Sequence, residues 1–135
     1  MDLMDSLAIS AAGMRVQGER LRVISENIAN ADSVSEAPGG DPYRRKTITF
    51  RNELDRQAGL DLVKVQKVGL DPSEFTRKYD PNNPAADNSG YVKLPNVNAL
   101  IEMSDMREAQ RSYEANLKVI EVARGMLQRT IDILR

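Results

Sequence analysis

The chain has 135 residues, 19 basic against 20 acidic, and neither cysteine nor histidine. Near-neutral charge excludes a global field that would recruit nucleic acid or an anionic membrane. The two missing residue types exclude disulfides, thiolate nucleophiles, Cys-type metal sites and the usual general base. With two Phe, four Tyr and no Trp, a core must rest on Leu, Ile, Val, Met and Ala, which suits helix packed on helix better than a sandwich.

The N-terminal stretch "MDLMDSLAISAAGM" places Asp2 and Asp5 where a secretory signal carries positive charge. It holds no apolar run of signal or membrane-spanning length, so neither is expected. Apolar residues recur there with helical spacing. Leu3, Leu7, Met14, Leu21 and Ile28 fall within about 60° of one another on a wheel. Ile9, Val16 and Val23 form a second stripe nearly opposite, and Arg15, Glu19, Arg22 and Glu26 share a flank between them. A helix apolar on two sides belongs in the middle of a bundle or between protomers, although an ordinary two-helix core would use the same residues. The helix is predicted to stop at "SENIANADS", on Asn27, Asn30, Asp32 and Ser33.

Residues 32–95 carry every proline and most of the glycines. Short β-branched or alternating stretches, 43–50, 60–68 and 74–79, predict two to four strands separated by "APGGDP" and "YDPNNPAADNSG" turns. The run Arg44, Arg45, Lys46 beside Tyr43 reads as a solvated strand edge or the rim of a subunit contact, since no basic excess elsewhere supports a phosphate patch. Asp80, Asn82, Asn83, Asp87 and Asn88 lack EF-hand order and its final Glu, so they read as polar turns. "APGGDP" lacks the phosphate-loop pattern. From there "GYVKLPN" is predicted to lead the chain back into helix.

From about Val97 to Leu134 the helical pattern returns. Met106, Tyr113, Ile120, Leu127 and Leu134 recur every seven residues, with Met103, Leu117 and Ile131 near the same face and Val119, Met126 and Ile133 about 100° away. Asn96 or Asn98, after Pro95, is the expected N-cap, and the helix would reach about 57 Å. Gly13, Gly18 and Gly125 lie inside helical patterns, where they either permit close approach or are tolerated at ~1 kcal/mol each.

The expected fold is mainly α with a small β-rich insertion. Residues 1–31 and 96–135 supply long terminal helices that pair as an antiparallel coiled-coil-like hairpin, and 32–95 supply a loop and short-strand excursion. No cofactor, metal site or catalytic group is expected, and the chain does not read as an enzyme. A soluble helical adaptor or export-chaperone-like binding module is the alternative, and a two-carboxylate hydrolase a third reading that needs a concave acidic site in the middle segment.

"LAISAAGMRVQGERLRVISENIANADS", "DPYRRK" and "GYVKLPNVNALIEMSDMREAQRSYEANLKVIEVARGMLQRTIDIL" resemble the bacterial flagellar rod and hook family of axial proteins over almost the whole chain. "ENIANADS" resembles a signature shared across that family. "GYVKLPNVN" and "RSYEANLKV", with the short length, resemble its proximal-rod members. The family motif falls on Asn27, Asn30, Asp32, Pro95 and Asn96. The resemblance implies a structural subunit of the basal-body rod in the periplasm, needed for motility, polymerising helically to form the drive shaft and export-channel wall, and delivered by the flagellar type III export apparatus without a Sec signal. It further implies contacts with itself, with FlgB and FlgF of the proximal rod, with the rod-base adaptor FliE and with distal FlgG. The assembly interface is then expected on Leu3, Leu7, Ile9, Met14, Val16, Leu21, Val23 and Ile28 of the first helix and on Met106, Tyr113, Leu117, Ile120, Leu127, Ile131 and Leu134 of the second.

Overall fold

A computed structural model describes residues 2–135; Met1, the first residue of the expected 1–31 segment, lies outside them. The elements run α1 (Leu3–Ala29), β1 (Lys46–Asp55), β2 (Leu60–Leu70), β3 (Thr76–Tyr79), β4 (Tyr91–Leu94) and α2 (Ala99–Ile133). The chain is mainly helical with a small β insertion, as expected. Two compact units are present. One holds the chain up to Leu21 with Thr49–Lys67 and Arg107–Arg135; the other holds Arg22–Ile48 and Val68–Met106.

Capping explains where α1 starts and stops. Asp2 Oδ1 accepts the Leu3 amide and Asp5 Oδ2 accepts the Asp2 amide at 2.8 Å, so two short acids occupy amides of the first turn. At the far end Asn30 Nδ2 donates to the Glu26 carbonyl and the Ser33 hydroxyl donates to Asn30 Oδ1. The Ala31 amide turns back to the Ile28 carbonyl and the Ser33 amide to the Asn30 carbonyl, so the helix tightens and ends in the Asn/Asp/Ser cluster. For α2 the cap is Asn98, whose Oδ1 accepts the Leu100 and Ile101 amides. Asn96 is free for another task.

The two helices run antiparallel. In the first unit Gly13 lies against Asn116 and Arg20 bonds Glu108 at 3.3 Å; in the second, Asn27 bonds Glu102 at 3.2 Å. The seam of α2 is Glu102, Ala109, Asn116 and Ala123, spaced by seven, with Glu102, Ala109 and Ala123 fully or nearly buried. Small residues let the backbones approach, so the larger Met106, Tyr113, Ile120 and Leu127, one turn further on, become half-buried flanks. On α1 the buried positions include Ala12, Val16, Val23 and Asn27. At Gly13 an added Cβ would sit 2.8 Å from Asn116 Nδ2, whereas Gly18 and Gly125 face open space. Of the three helix glycines, only the first is required by close approach.

β1 and β2 form one two-stranded sheet. Their connection turns on Asp55, whose Oδ1 accepts the Gln57 and Ala58 amides, and on Gly59 at φ +67°. β3 and β4 form a second sheet, antiparallel from Thr76↔Leu94 to Tyr79↔Tyr91, with the two tyrosine rings edge to face at 5.2 Å. Asp87 Oδ1 accepts the Ser89 and Tyr91 amides in the intervening turn. β1 starts at residue 46 rather than 43, because the Tyr43 amide donates to the Ser33 carbonyl and the Arg45 amide to Asn96 Oδ1, so neither amide joins the ladder. "YVKL", on the expected return path to the second helix, is strand β4.

Candidate assembly interface

A polar junction in the second unit ties the two helices to the β insertion. Asn27, at the last full turn of α1, is nearly completely buried and uses all its hydrogen-bonding capacity. Its Oδ1 accepts the Tyr43 hydroxyl at 2.8 Å and the Lys46 amide at 2.9 Å; its Nδ2 donates to the Lys46 carbonyl at 2.9 Å and to Glu102 Oε2. Glu102, with no exposed surface, takes a second charge-assisted bond from Arg45 Nε, and Arg45 Nη1 reaches Asp71 at 3.3 Å. Asn96 closes the far side. Its Oδ1 accepts the Arg45 amide at 2.7 Å, and its Nδ2 donates to the Asp71 carbonyl and to Ser73.

The electrostatics follow from these contacts. Burial alone would lower the Arg45 guanidinium, but its bonds to Glu102 and Asp71 outweigh that and raise it. Burial pushes the Tyr43 phenol up. At the rim, the hydrogen bond from Lys46 holds the Glu26 carboxyl below its ordinary value, and the same bond raises Lys46.

The three cations of the basic run, each half-buried, all have partners within the chain. Arg44 donates to the carbonyls of Asp71 and Ser73 and stacks over the Phe75 ring at 4.2 Å; Arg45 and Lys46 serve the junction. Of the motif residues, Asn27 and Asn96 meet in this network, Asn30 ends α1, Pro95 is buried beside Asn96, and Asp32 is exposed. Tyr43, Arg45, Asp71 and Glu102 were not anticipated. The one signal pointing to Glu102 is its heptad phase with Ala109, Asn116 and Ala123.

The anticipated interface residues divide three ways. Val16 and Val23 are corrected: both are buried against the chain's own second helix and insertion and offer nothing to a neighbour, whereas Ile9 of the same stripe stays exposed. Leu3, Leu7, Met14, Leu21, Ile28, Met106, Tyr113, Ile120 and Leu127 are half-buried. Ile9, Leu117, Ile131 and Leu134 are exposed, as are Met103, Val119, Met126 and Ile133 and the unforeseen Leu100, Ile101 and Val122. In the first unit two open grooves run along the helix pair. One, of about 550 Å³, is lined by Leu3, Val119, Val122 and Met126 among others. The other, of about 460 Å³, includes Met14, Gly18, Tyr113 and Ile120. Among the described residues no cluster of three or more His, Cys, Asp or Glu could hold a metal ion, and no helix is long and apolar enough to cross a membrane.

Long helices with capped N-termini, pinned to a small β insertion and apolar on flanks that the chain itself leaves uncovered, define a helical-hairpin subunit suited to packing against neighbours. Residues 88–133 match the family described as flagellar basal body rod FlgEFG protein C-terminal. The chain is 58% identical to the flagellar basal-body rod protein FlgC of Agrobacterium fabrum, over 94% of this chain and 91% of that protein. It is 38% identical to FlgC of Escherichia coli O6:H1 and 37% identical to FlgC of Salmonella typhimurium, each over 98% of both chains. The chain belongs to the FlgC family of flagellar basal-body rod proteins.

Proposed function

We propose that the chain is a structural subunit of the rod in the bacterial flagellar basal body, and that it polymerises through its terminal helices. The observation that carries this reading is the apolar flank of a helix pair in a chain related end to end to rod proteins. Segments 1–31 and 96–135 form the axial core, and 32–95 lies as an excursion upon it. Many weak contacts along the half-buried and exposed stripes act together, and head-to-tail packing that does not close on itself generates a helical tube able to carry torque and line an export channel. The assembly residues are Leu3, Leu7, Ile9, Met14, Leu21, Ile28, Met106, Tyr113, Leu117, Ile120, Leu127, Ile131 and Leu134. The neighbours are other rod components, namely FlgB and FlgF, with FliE at the base and FlgG beyond, and the subunit is delivered by the flagellar type III apparatus.

The test is electron microscopy of basal bodies from cells lacking this chain, with and without complementation. Basal bodies halted at the inner-membrane ring and extended again on complementation are the expected result. Complete rods in its absence would overturn the proposal and return the chain to an adaptor role.

A further inference from the structure

The apolar pattern of both helices repeats every seven residues, and that creates an ambiguity. Ile9, Val16 and Val23 are near-equivalents one heptad apart, as are Leu7, Met14 and Leu21 on α1 and Ile120, Leu127 and Leu134 on α2. Sliding α2 along α1 by seven residues, about 10 Å, returns the apolar flank residues to apolar positions, while on the seam it exchanges Asn116 with Ala109 or Ala123. Burial of the apolar flanks therefore does not choose the alignment. The polar groups do. A slip of one heptad either way separates Asn27 from Glu102, and it pulls Glu102 off Arg45, which Asn96 and Asp71 hold in place from the β insertion.

We infer that the buried junction of Asn27, Arg45 and Glu102 is a register pin: it selects one alignment of α1 against α2 and thereby sets the phase of the apolar flanks offered to neighbours. A buried charge pair is a poor source of net stability compared with well-packed apolar residues, whereas fixing register is its best-supported use. Asn27 fits that role, since it keeps the Lys46 amide and carbonyl as partners even without Glu102. The consequence for rod assembly rests on the function proposed above. The pinning itself does not, so the two can fail separately.

The absence of cysteine makes the test direct. In the purified full-length chain, R20C is combined with E108C to report the native alignment, and with I101C or A115C to report a slip of one heptad in either direction. Products of a short bifunctional thiol reagent are then quantified. In the parent the native product should exceed either slipped product by about tenfold or more. In R45M/E102L, which removes both charges together, the ratio should approach parity with helix content by circular dichroism retained. Moving the acid one heptad, in E102A/A109E, should make the A115C product dominant. The inference is overturned by slipped products already abundant in the parent, by native product alone in both variants, or by loss of helix content in both, since the junction would then hold the fold and not its register. If the register responds as expected while cells carrying R45M/E102L still swim normally, the pin stands and the proposed role of the flanks falls.

Discussion

Glu102 illustrates how much depends on keeping a partner. Buried entirely, it is tolerable because Arg45 and Asn27 meet it. Glu102→Ala leaves a partly buried guanidinium and an amide donor short of a partner, and should cost about 3–5 kcal/mol. Tyr43→Phe removes one donor to Asn27 Oδ1 while the Lys46 amide remains, and should cost about 1 kcal/mol. Thermal denaturation of the two variants checks both the magnitudes and their order. Asn27 and Asn96 stood out in the sequence as members of a motif, but a motif does not say what its residues bond. Arg45 was hidden inside a run of three cations that resembles any solvated strand edge. Glu102 was hidden because a scan for large apolar residues passes over a seam made of Glu, Ala, Asn and Ala.

At the scale of elements, capping and helix glycines make opposite predictions. Asn98→Ala removes the acceptor for two α2 amides and should cost about 1 kcal/mol. Gly18→Ala and Gly125→Ala enter open space and should each stabilise the free chain by about 1 kcal/mol, read as a raised melting temperature. Should either glycine variant also stop rod assembly, its open space is filled by a neighbour in the rod. Both helices were legible, since each sustains a helical pattern for many turns, the first ending in the Asn/Asp/Ser cluster and the second beginning beside Asn98. The strands were legible less evenly. β2 matched its alternating stretch closely, but β4 has four residues with Val92 alone fully buried, and it is a strand because β3 stands beside it. Which stripe of each helix faces inward was not legible at all. That choice is made by small residues and by the polar junction, both weak in any measure of hydrophobicity.

For the molecule as a whole, the charge network sets a pH window. The carboxyls of Glu26, Glu53, Asp55, Asp71 and Asp87 all lie below their ordinary values, Glu26 chiefly through Lys46, Glu53 through Lys64, and the aspartates through backbone amides. Lowered carboxylates contribute fully above their ordinary values of 4.5 for Glu and 3.8 for Asp, and the contribution is lost as pH falls through the lowered ones. The raised Lys46 works the other way, contributing fully below 10.5 and losing it as pH climbs through its raised value. The melting temperature should therefore be level from about pH 5 to about pH 10 and fall on either side. In Glu26→Gln both falls should be shallower. In cells, Leu21→Asp or Leu127→Asp, each altering a half-buried flank, should abolish rod assembly and swimming while export of the subunit persists; immunoblots of exported protein alongside motility assays separate the two effects. The antiparallel pairing also has a consequence in time. Asn27 and Glu102 stand 75 residues apart in the chain. At a synthesis rate of about 5–20 residues per second, α1 leaves the ribosome about 4–15 s before the partner that covers its seam exists. Until then every newly made copy presents an unclosed helix, and that interval is when a receptor for the open chain can compete with closure.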